Sequence, residues 1–324
     1  MKTLSMCFAL ITPVLLCNCN NSNFRESDFG DDSIVSIDTV QGTSLLGEKL
    51  VSDQPDREKD SVTIANFIKA RKEINENPDD NEAIIWYGRR AAYLGDYLKA
   101  IDIYSEGIEK FPKDARMYRH RGHRFINIRK FDKAIEDLTS AAELIDGKPD
   151  IVEPDGIPNA RNTPVSSLNT NVWYHLGLAH YLKGNMLEAL DGFQKCLDAS
   201  TNPDMHVAAA NWVYMIHRRM NNTNEAEKVL DLINSDMDIF ENMAYHNLLL
   251  FYKGILTEDE LKDESQDVEY MNDAIAYGIG NWYYYNGDTT RAKEIFQILL
   301  DHGTWASFGT LAAEAELYRL KLEL

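Results

Sequence analysis

Apolar and small side chains recur at helical spacing along residues 61–322. In residues 115–127, Tyr118, Gly122 and Phe125 stand at positions i, i+4 and i+7, which places them on one stripe of an α-helix. Turns such as Leu94-Gly95-Asp96 separate one striped segment from the next, because glycine tolerates the backbone angles of a tight turn. The pattern predicts an all-α chain of paired helices with essentially no strand.

The stripes repeat with a period of 34 residues. Positions separated by that distance carry the same kind of residue: Gly88 and Gly122, Ala100 and Ala134, Gly107 and Ala141, Pro78 and Pro112. A small residue at a fixed place in each unit lets two helices cross closely, since a larger side chain would push their axes apart. Helix pairs at a constant period predict a solenoid, in which each unit packs on its neighbours.

One unit, at 170–203, carries the fullest motif. The motif is W-x2-L-G-x2-Y followed by A-x3-F, and the matching residues are Trp173, Leu176, Gly177, Ala189 and Phe193. His180 stands where the motif has tyrosine, and Cys196 stands at a position where alanine is usual. With its period, the chain over 61–322 resembles the tetratricopeptide repeat family. The resemblance implies a right-handed superhelix whose concave groove, lined by the first helix of each pair, binds proteins.

The predicted solenoid contains about six helix pairs and a C-terminal capping helix. The units are placed at 81–114, 115–148, 170–203, 207–240, 241–272 and 273–306. In the fifth unit we expect one helix around Tyr245–Phe251 and a short second helix capped by Thr257 and Glu260. Residues 61–77 are predicted as a lone helix before the first unit.

An export signal is predicted at residues 1–19. An apolar run, Leu4–Leu16, follows Lys2; it is too short to span a bilayer and has the length of a signal sequence. The run ends at Cys17 and Cys19, which resembles a bacterial lipoprotein signal and makes both cysteines lipidation candidates. A signal cleaved without lipidation is the alternative. The expected location is the bacterial cell envelope, either periplasmic or lipid-anchored, with membrane contact only through the anchor.

Residues 20–60 are rich in Ser, Asn, Asp, Glu and Gly and have almost no helical periodicity. Such a segment has too little apolar surface to offset the entropy lost on ordering. We therefore expect a flexible acidic linker between the signal and the solenoid.

Charge and motif content exclude several functions. The formal net charge of −19 makes a nucleic-acid partner unfavourable, because phosphate backbones repel an acidic chain. The sequence lacks the G-x-S-x-G, H-E-x-x-H and P-loop motifs. His120 and His123 are spaced i and i+3, but arginines flank them and further ligands are missing. We predict a non-enzymatic protein with no catalytic residues, no metal site and no cofactor.

A basic stretch, Arg116–Lys130, interrupts the acidic chain. Arg116, Arg119 and His123 share the helix stripe that the resemblance places in the groove. Equivalent positions in other units complete the predicted groove: Arg89, Tyr174, Tyr181, Asn211, Arg218, Tyr277, Asn281 and Tyr284. Since interfaces favour arginine and tyrosine, we predict a protein or peptide partner there, with an acidic segment as its complement.

Two alternatives to this groove stay open. The arginines instead pair with acids of the second helices, such as Glu136 or Asp137. In the other alternative the protein is a surface lipoprotein that binds glycan, with groove tyrosines as stacking platforms.

A proline-rich stretch, 149–169, separates the second and third units. Its four prolines exclude helix and predict an extended loop. The simpler interpretation is an insertion tolerated on the rim of the solenoid. The functional interpretation is a loop that folds over the groove and narrows it.

Overall fold

The structure, a computed structural model, describes residues 35–262 and 272–322. From residue 61 onward the described residues form helices joined by turns and loops, with one isolated bridge between Val152 and Ser167. The predicted all-α solenoid is therefore confirmed. Cys17 and Cys19, with the predicted signal at 1–19, lie outside the described residues. Within the described ranges, no helix is long and apolar enough to cross a membrane.

Two short strands precede fourteen helices in the described part of the chain. They are β1 Val40–Thr43, β2 Lys49–Val51, α1 Ser61–Glu76, α2 Asn81–Tyr93, α3 Tyr97–Lys110, α4 Ala115–Asn127, α5 Phe131–Ile145, α6 Leu168–Lys183, α7 Met186–Ala199, α8 Pro203–Arg219, α9 Thr223–Leu230, α10 Met243–Tyr252, α11 Glu258–Leu261, α12 Asp273–Tyr285, α13 Thr289–His302 and α14 Phe308–Leu322. The helices pack in consecutive pairs from α2 with α3 to α12 with α13. First helices of neighbouring pairs also touch, as α2 with α4 and α4 with α6 do. We call the side formed by these first helices the inner face.

Polar residues at the helix ends and small residues at the crossings account for these elements. Asp80, Asp96 and Asp114 each accept a hydrogen bond from a backbone N–H in the first turn of the helix that follows. In the third pair, a Cβ added to Gly192 would lie 2.8 Å from backbone atoms of Gly177. The close crossing of α6 and α7 therefore requires glycine at these positions.

The predicted flexible linker is wrong over residues 36–60. There β1 and β2 form an antiparallel hairpin that bonds to the turn between α2 and α3. The Gln41 side chain accepts from the backbone N–H of Leu98 at 3.0 Å, and the Ser52 hydroxyl donates to the Gly95 carbonyl at 2.9 Å. The polar composition gave a wrong prediction of flexibility. The segment is ordered by hydrogen bonds to the solenoid as well as by its few buried apolar residues, among them Leu50.

Helix α14 does more than cap the last pair. Besides packing on α12 and α13, it reaches α6 and places two buried glutamates opposite arginines of other units. Glu314 pairs with Arg129 at 2.6 Å, and Glu316 pairs with Arg219 at 2.8 Å. The expected open groove is therefore partly filled by the chain's own C-terminal helix.

The proline-rich loop covers the inner face, so the rim interpretation is wrong. Arg89 of α2 donates to the Pro154 carbonyl at 2.8 Å, and Arg119 of α4 pairs with buried Glu153 at 3.0 Å. Farther along the loop, Arg161 pairs with Asp238 at 2.7 Å. The loop thus connects the first two pairs to the segment that precedes α10.

The Arg129–Glu314 pair gives a test of the role of α14. Replacing Glu314 by alanine leaves Arg129 buried without its carboxylate and also removes the acceptor of the Leu45 N–H, at 2.6 Å. We expect the free energy of unfolding to fall by about 3–5 kcal/mol in urea titration. As a control, Glu225→Ala removes one partner of the exposed Glu225–Lys228 pair and should cost about 0–1 kcal/mol. Equal losses in the two variants would contradict this role.

Candidate binding cavity

A cavity of about 330 Å³ remains on the inner face, between α14 and the proline-rich loop. The size lies at the lower end of the range for small-ligand sites. Helices α2, α3, α4, α6, α8 and α10, the start of α14 and the loop contribute to its walls. The polar and aromatic lining consists of Arg89, Tyr93, Tyr104, Arg119, His120, His123, Arg124, Ser166, Asn171, Tyr174, His175, Glu241, Asn242, Tyr245 and Phe308.

The arginines of the basic stretch differ in their acidic partners. Arg116 pairs with Asp114 at 2.7 Å, and also with Glu82 of the preceding unit. Arg121 pairs with Asp137, also at 2.7 Å. This is a pair with an acid of a second helix, which was predicted as the alternative to a role in the groove. Arg119 pairs with Glu153 of the loop.

Arg124 differs from these three. Its described partners are the His123 ring, at 2.6 Å between Nη2 and Nδ1, and the face of Tyr97, at 5.4 Å from the ring centroid. Among the residues that the structure describes, no carboxylate lies within ion-pair distance of this guanidinium. Arg124 is thus a cation at the cavity wall that the described chain does not neutralise.

Hydrogen bonds fix the tautomers of the cavity histidines. The Asn171 carbonyl can only accept, so His175 Nδ1, 2.6 Å away, carries a proton. Arginine can only donate, so His123 Nδ1 is a lone pair facing Arg124. The same argument leaves His120 Nδ1 unprotonated, because Arg119 Nη1 donates to it at 2.8 Å.

Burial keeps these rings uncharged. Desolvation lowers the pKa of His120, His123 and His175 well below the ordinary value. The positive charge of Arg119 lowers all three pKa values further, as does that of Arg124. The histidines therefore act as neutral hydrogen-bonding groups, and the arginines supply the positive charge.

A second space of about 250 Å³ adjoins the cavity beneath the loop. Its lining includes Arg89 and Arg119, shared with the cavity, and the acids Glu153, Asp155 and Glu241. The Asn159 side-chain nitrogen lies 2.8 Å from Glu241 Oε2 and 3.3 Å from Asp155 Oδ2. Glu241 is solvent-exposed and Asp155 half-buried, so this end forms an acidic mouth.

The structure brings four of the predicted groove residues to the cavity: Arg89, Arg119, His123 and Tyr174. Arg116 is held in its own ion pairs, and Arg218 lies over the Tyr285 ring and donates to Asn286 at 2.9 Å. Asn211 and Asn281 are buried, and Tyr284 packs under the Arg219 guanidinium.

Two of the predicted groove tyrosines belong to the core. Tyr181 and Tyr277 are 0% and 2% exposed, and their hydroxyls hydrogen-bond each other at 2.6 Å. Both rings pack against Trp212. A ring without an exposed face cannot stack on a sugar, so the glycan alternative has no support at these positions.

Sequence reasoning missed part of the site. His120 and Arg124 belong to the basic stretch but fall outside the stripe assigned to the groove. His175 adjoins the predicted Tyr174, and its ring lies 4.2 Å from that of His123. No sequence pattern indicated Phe308 or Glu241 as site residues. They reach the cavity only because α14 and the segment before α10 pack against the inner face.

Comparison with known proteins identifies one repeat directly. The family model of the tetratricopeptide repeat matches residues 273–302, which contain α12 and α13. Residues 273–302 form a tetratricopeptide repeat. The other helix pairs of the solenoid follow the same two-helix plan.

Three solved structures are similar to this chain at low identity. YrrB, described as a TPR protein with an unusual peptide-binding site, is 16% identical over 78% of this chain and 97% of its own, with a TM-score of 0.40. BtubC from P. vanneervenii is 15% identical over 82% of this chain and 92% of its own, with a TM-score of 0.39. A chain of the APC/C hetero-tetramer Cut9–Hcn1 is 15% identical over 78% of this chain and 41% of its own, with a TM-score of 0.45.

The neutral histidines give a pH test. The folded-state pKa values of His120, His123 and His175 are depressed, so the unfolded chain binds more protons below its own histidine pKa, about 6.5. Their stabilisation is complete above that pH and is lost as the pH falls toward the folded-state values, by about 1 kcal/mol per pH unit and histidine. Urea unfolding at pH 7.5 and 5.5 should record this loss. His123→Gln should reduce the change in the free energy of unfolding between the two pH values. Ring proton signals of these residues that titrate near pH 6.5 by NMR would contradict it.

Proposed function

We propose that the protein is an exported, non-enzymatic scaffold that binds a protein or peptide partner and holds an acidic group of that partner in the cavity. The observation that carries the proposal is Arg124, a guanidinium at the cavity wall with no carboxylate partner among the described residues. A buried or half-buried cation lowers stability unless an anion neutralises it. A carboxylate can do so, and it accepts two parallel hydrogen bonds from arginine. An aspartate or glutamate side chain, or a C-terminal carboxylate, meets both needs.

The surrounding chemistry favours binding over catalysis. The thiol of Cys196 is buried, donates to the Thr170 carbonyl at 3.4 Å and has its pKa raised by burial to about 12, so it is a poor nucleophile. The cavity histidines are held neutral between arginines and aromatic rings. Helix-pair solenoids present surfaces for protein binding, and the tetratricopeptide repeat at 273–302 belongs to that class.

Peptide binding to the purified chain tests the proposal. The probes are fluorescein-labelled decapeptides of one composition, either with a free C-terminus or amidated, and either with internal glutamates or with glutamines. We expect fluorescence anisotropy to show that the carboxylate-bearing peptides bind. Arg124→Gln should lower their affinity about tenfold or more, which is the size of one charge-assisted interaction. Arg119 is unsuitable for this test, because its loss also breaks the pair with Glu153.

The matched control is Arg57→Gln, which removes an exposed arginine remote in sequence from the cavity. It should leave affinity unchanged, and circular dichroism should show both variants folded. Equal affinity of the wild type and Arg124→Gln would contradict a role of the cavity in binding. If the carboxylate-free peptides bind as tightly as the carboxylate-bearing ones, the acidic partner is contradicted.

We propose export on the sequence of residues 1–19, with lipidation at Cys17 or Cys19. Mass spectrometry of the protein from its native cell should find a chain that lacks at least the first sixteen residues. An acyl mass on the new N-terminal cysteine would identify a lipoprotein, and Cys17→Ser with Cys19→Ser should then release it from the membrane. Intact Met1 on cytosolic material would contradict export.

A further inference from the structure

Two arginines of α4, Arg119 and Arg124, line the cavity. Arg119 is only 9% exposed, and its Nε has no hydrogen-bond partner among the described residues. The same side chain lines both the cavity and the space beneath the loop. A buried donor without a partner costs about 1–3 kcal/mol, and an oxyanion between Arg119 and Arg124 would remove that cost.

The mouth has the opposite charge. Asp155 and Glu241 both approach the side-chain nitrogen of Asn159, so two carboxylates lie near each other with a neutral amide between them. Desolvation raises the pKa of both, and the charge of Asp155 raises that of Glu241 further. Arg89, which also lines this space, donates to the Pro154 carbonyl and to the Tyr93 hydroxyl. A second cation with several N–H donors would lower the electrostatic cost of this pair of acids.

Aromatic side chains also line the cavity. Tyr174 and Tyr245 join their hydroxyls at 3.0 Å, and the Phe308 ring lies 6.1 Å from that of Tyr174. This wall offers apolar surface to the body of a ligand whose ends are charged.

We infer that the cavity accepts a short zwitterion of the amino-acid class, a free amino acid or a very short peptide, with its carboxylate at Arg119 and Arg124 and its ammonium at Asp155 and Glu241. The inference rests on the proposed function, because it uses the same anion site, and it names the ligand that fills both ends. A long peptide that enters carboxylate first has a neutral amide at the mouth. A short free molecule brings its ammonium group there.

Isothermal titration of the full chain with four probes tests both ends. The probes are L-phenylalanine, the dipeptide Ala-Phe, N-acetyl-Ala-Phe and Ala-Phe amide. We expect at least one of the two zwitterions to bind, and the one that binds identifies the length that the cavity takes. Capping Ala-Phe at either end should weaken binding about tenfold or more, since each cap removes one charge-assisted contact.

Variants assign each end. In Glu241→Gln, N-acetyl-Ala-Phe should approach the affinity of the free dipeptide, because the ammonium has lost a partner. Asp236→Asn removes an exposed acid five residues earlier and should leave the discrimination intact. Arg124→Gln should weaken both the free and the N-acetylated dipeptide.

The outcomes separate this inference from the proposed function. If the acetylated and free dipeptides bind equally, the ammonium site is overturned and the anion site stands. If the carboxylate-bearing decapeptides bind and neither zwitterion does, the short ligand is overturned and the scaffold stands. If the zwitterions bind and the decapeptides do not, the cavity is a small-molecule site and the protein partner is overturned.

Discussion

The return of α14 across the inner face depends on two buried glutamates. A buried carboxylate is tolerated only when cations and hydrogen bonds replace its water. Glu314 receives these from Arg129 of a distant unit, and Glu316 receives them from Arg219 of another unit and from Arg319 of α14 itself. Arg129, which pairs with Glu314, lies just beyond the end of α4 and has a left-handed backbone conformation with φ of 61°. The same glutamate accepts a hydrogen bond from the hairpin. This pair therefore joins the N-terminal segment, the second unit and the C-terminal helix.

The partly covered inner face changes what kind of ligand fits. An open solenoid groove takes an extended segment along its whole length, but here α14 fills one part and the proline-rich loop covers another. What remains is a cavity of about 330 Å³ with a cationic inner end and an acidic mouth. In our proposal its selectivity comes from charged and aromatic side chains of the lining, which suit a compact ligand or the end of a chain.

Charge pairing explains how an acidic protein keeps a basic stretch. Arg116, Arg119 and Arg121 each meet a carboxylate from a different place: a helix N-terminus, the loop and a second helix. Arg124 is left with a histidine and a tyrosine ring. Of these four arginines, Arg124 alone has no carboxylate partner among the described residues, whereas Arg119 lines the cavity and is paired with Glu153.

The sequence by itself determined the helix pairs of this protein. The 34-residue period and the glycines at crossings predicted the helix pairs, and Thr257 with Glu260 predicted the capping box of the short helix α11. These features follow from interactions between residues close in sequence. Four residues of the predicted groove, Arg89, Arg119, His123 and Tyr174, line the cavity, because a helix stripe fixes which side chains share a face.

Only the tertiary structure decided which of those faces remains open. Tyr181 and Tyr277 lie on the predicted stripe yet are buried, and residues 36–60 are ordered although their composition predicted a linker. In each case the deciding partner is far away in sequence: Glu316 for Tyr277, and Gly95 and Trp305 for the hairpin. Periodicity reports only local spacing, so it carries no information about a helix or a loop that returns from another part of the chain.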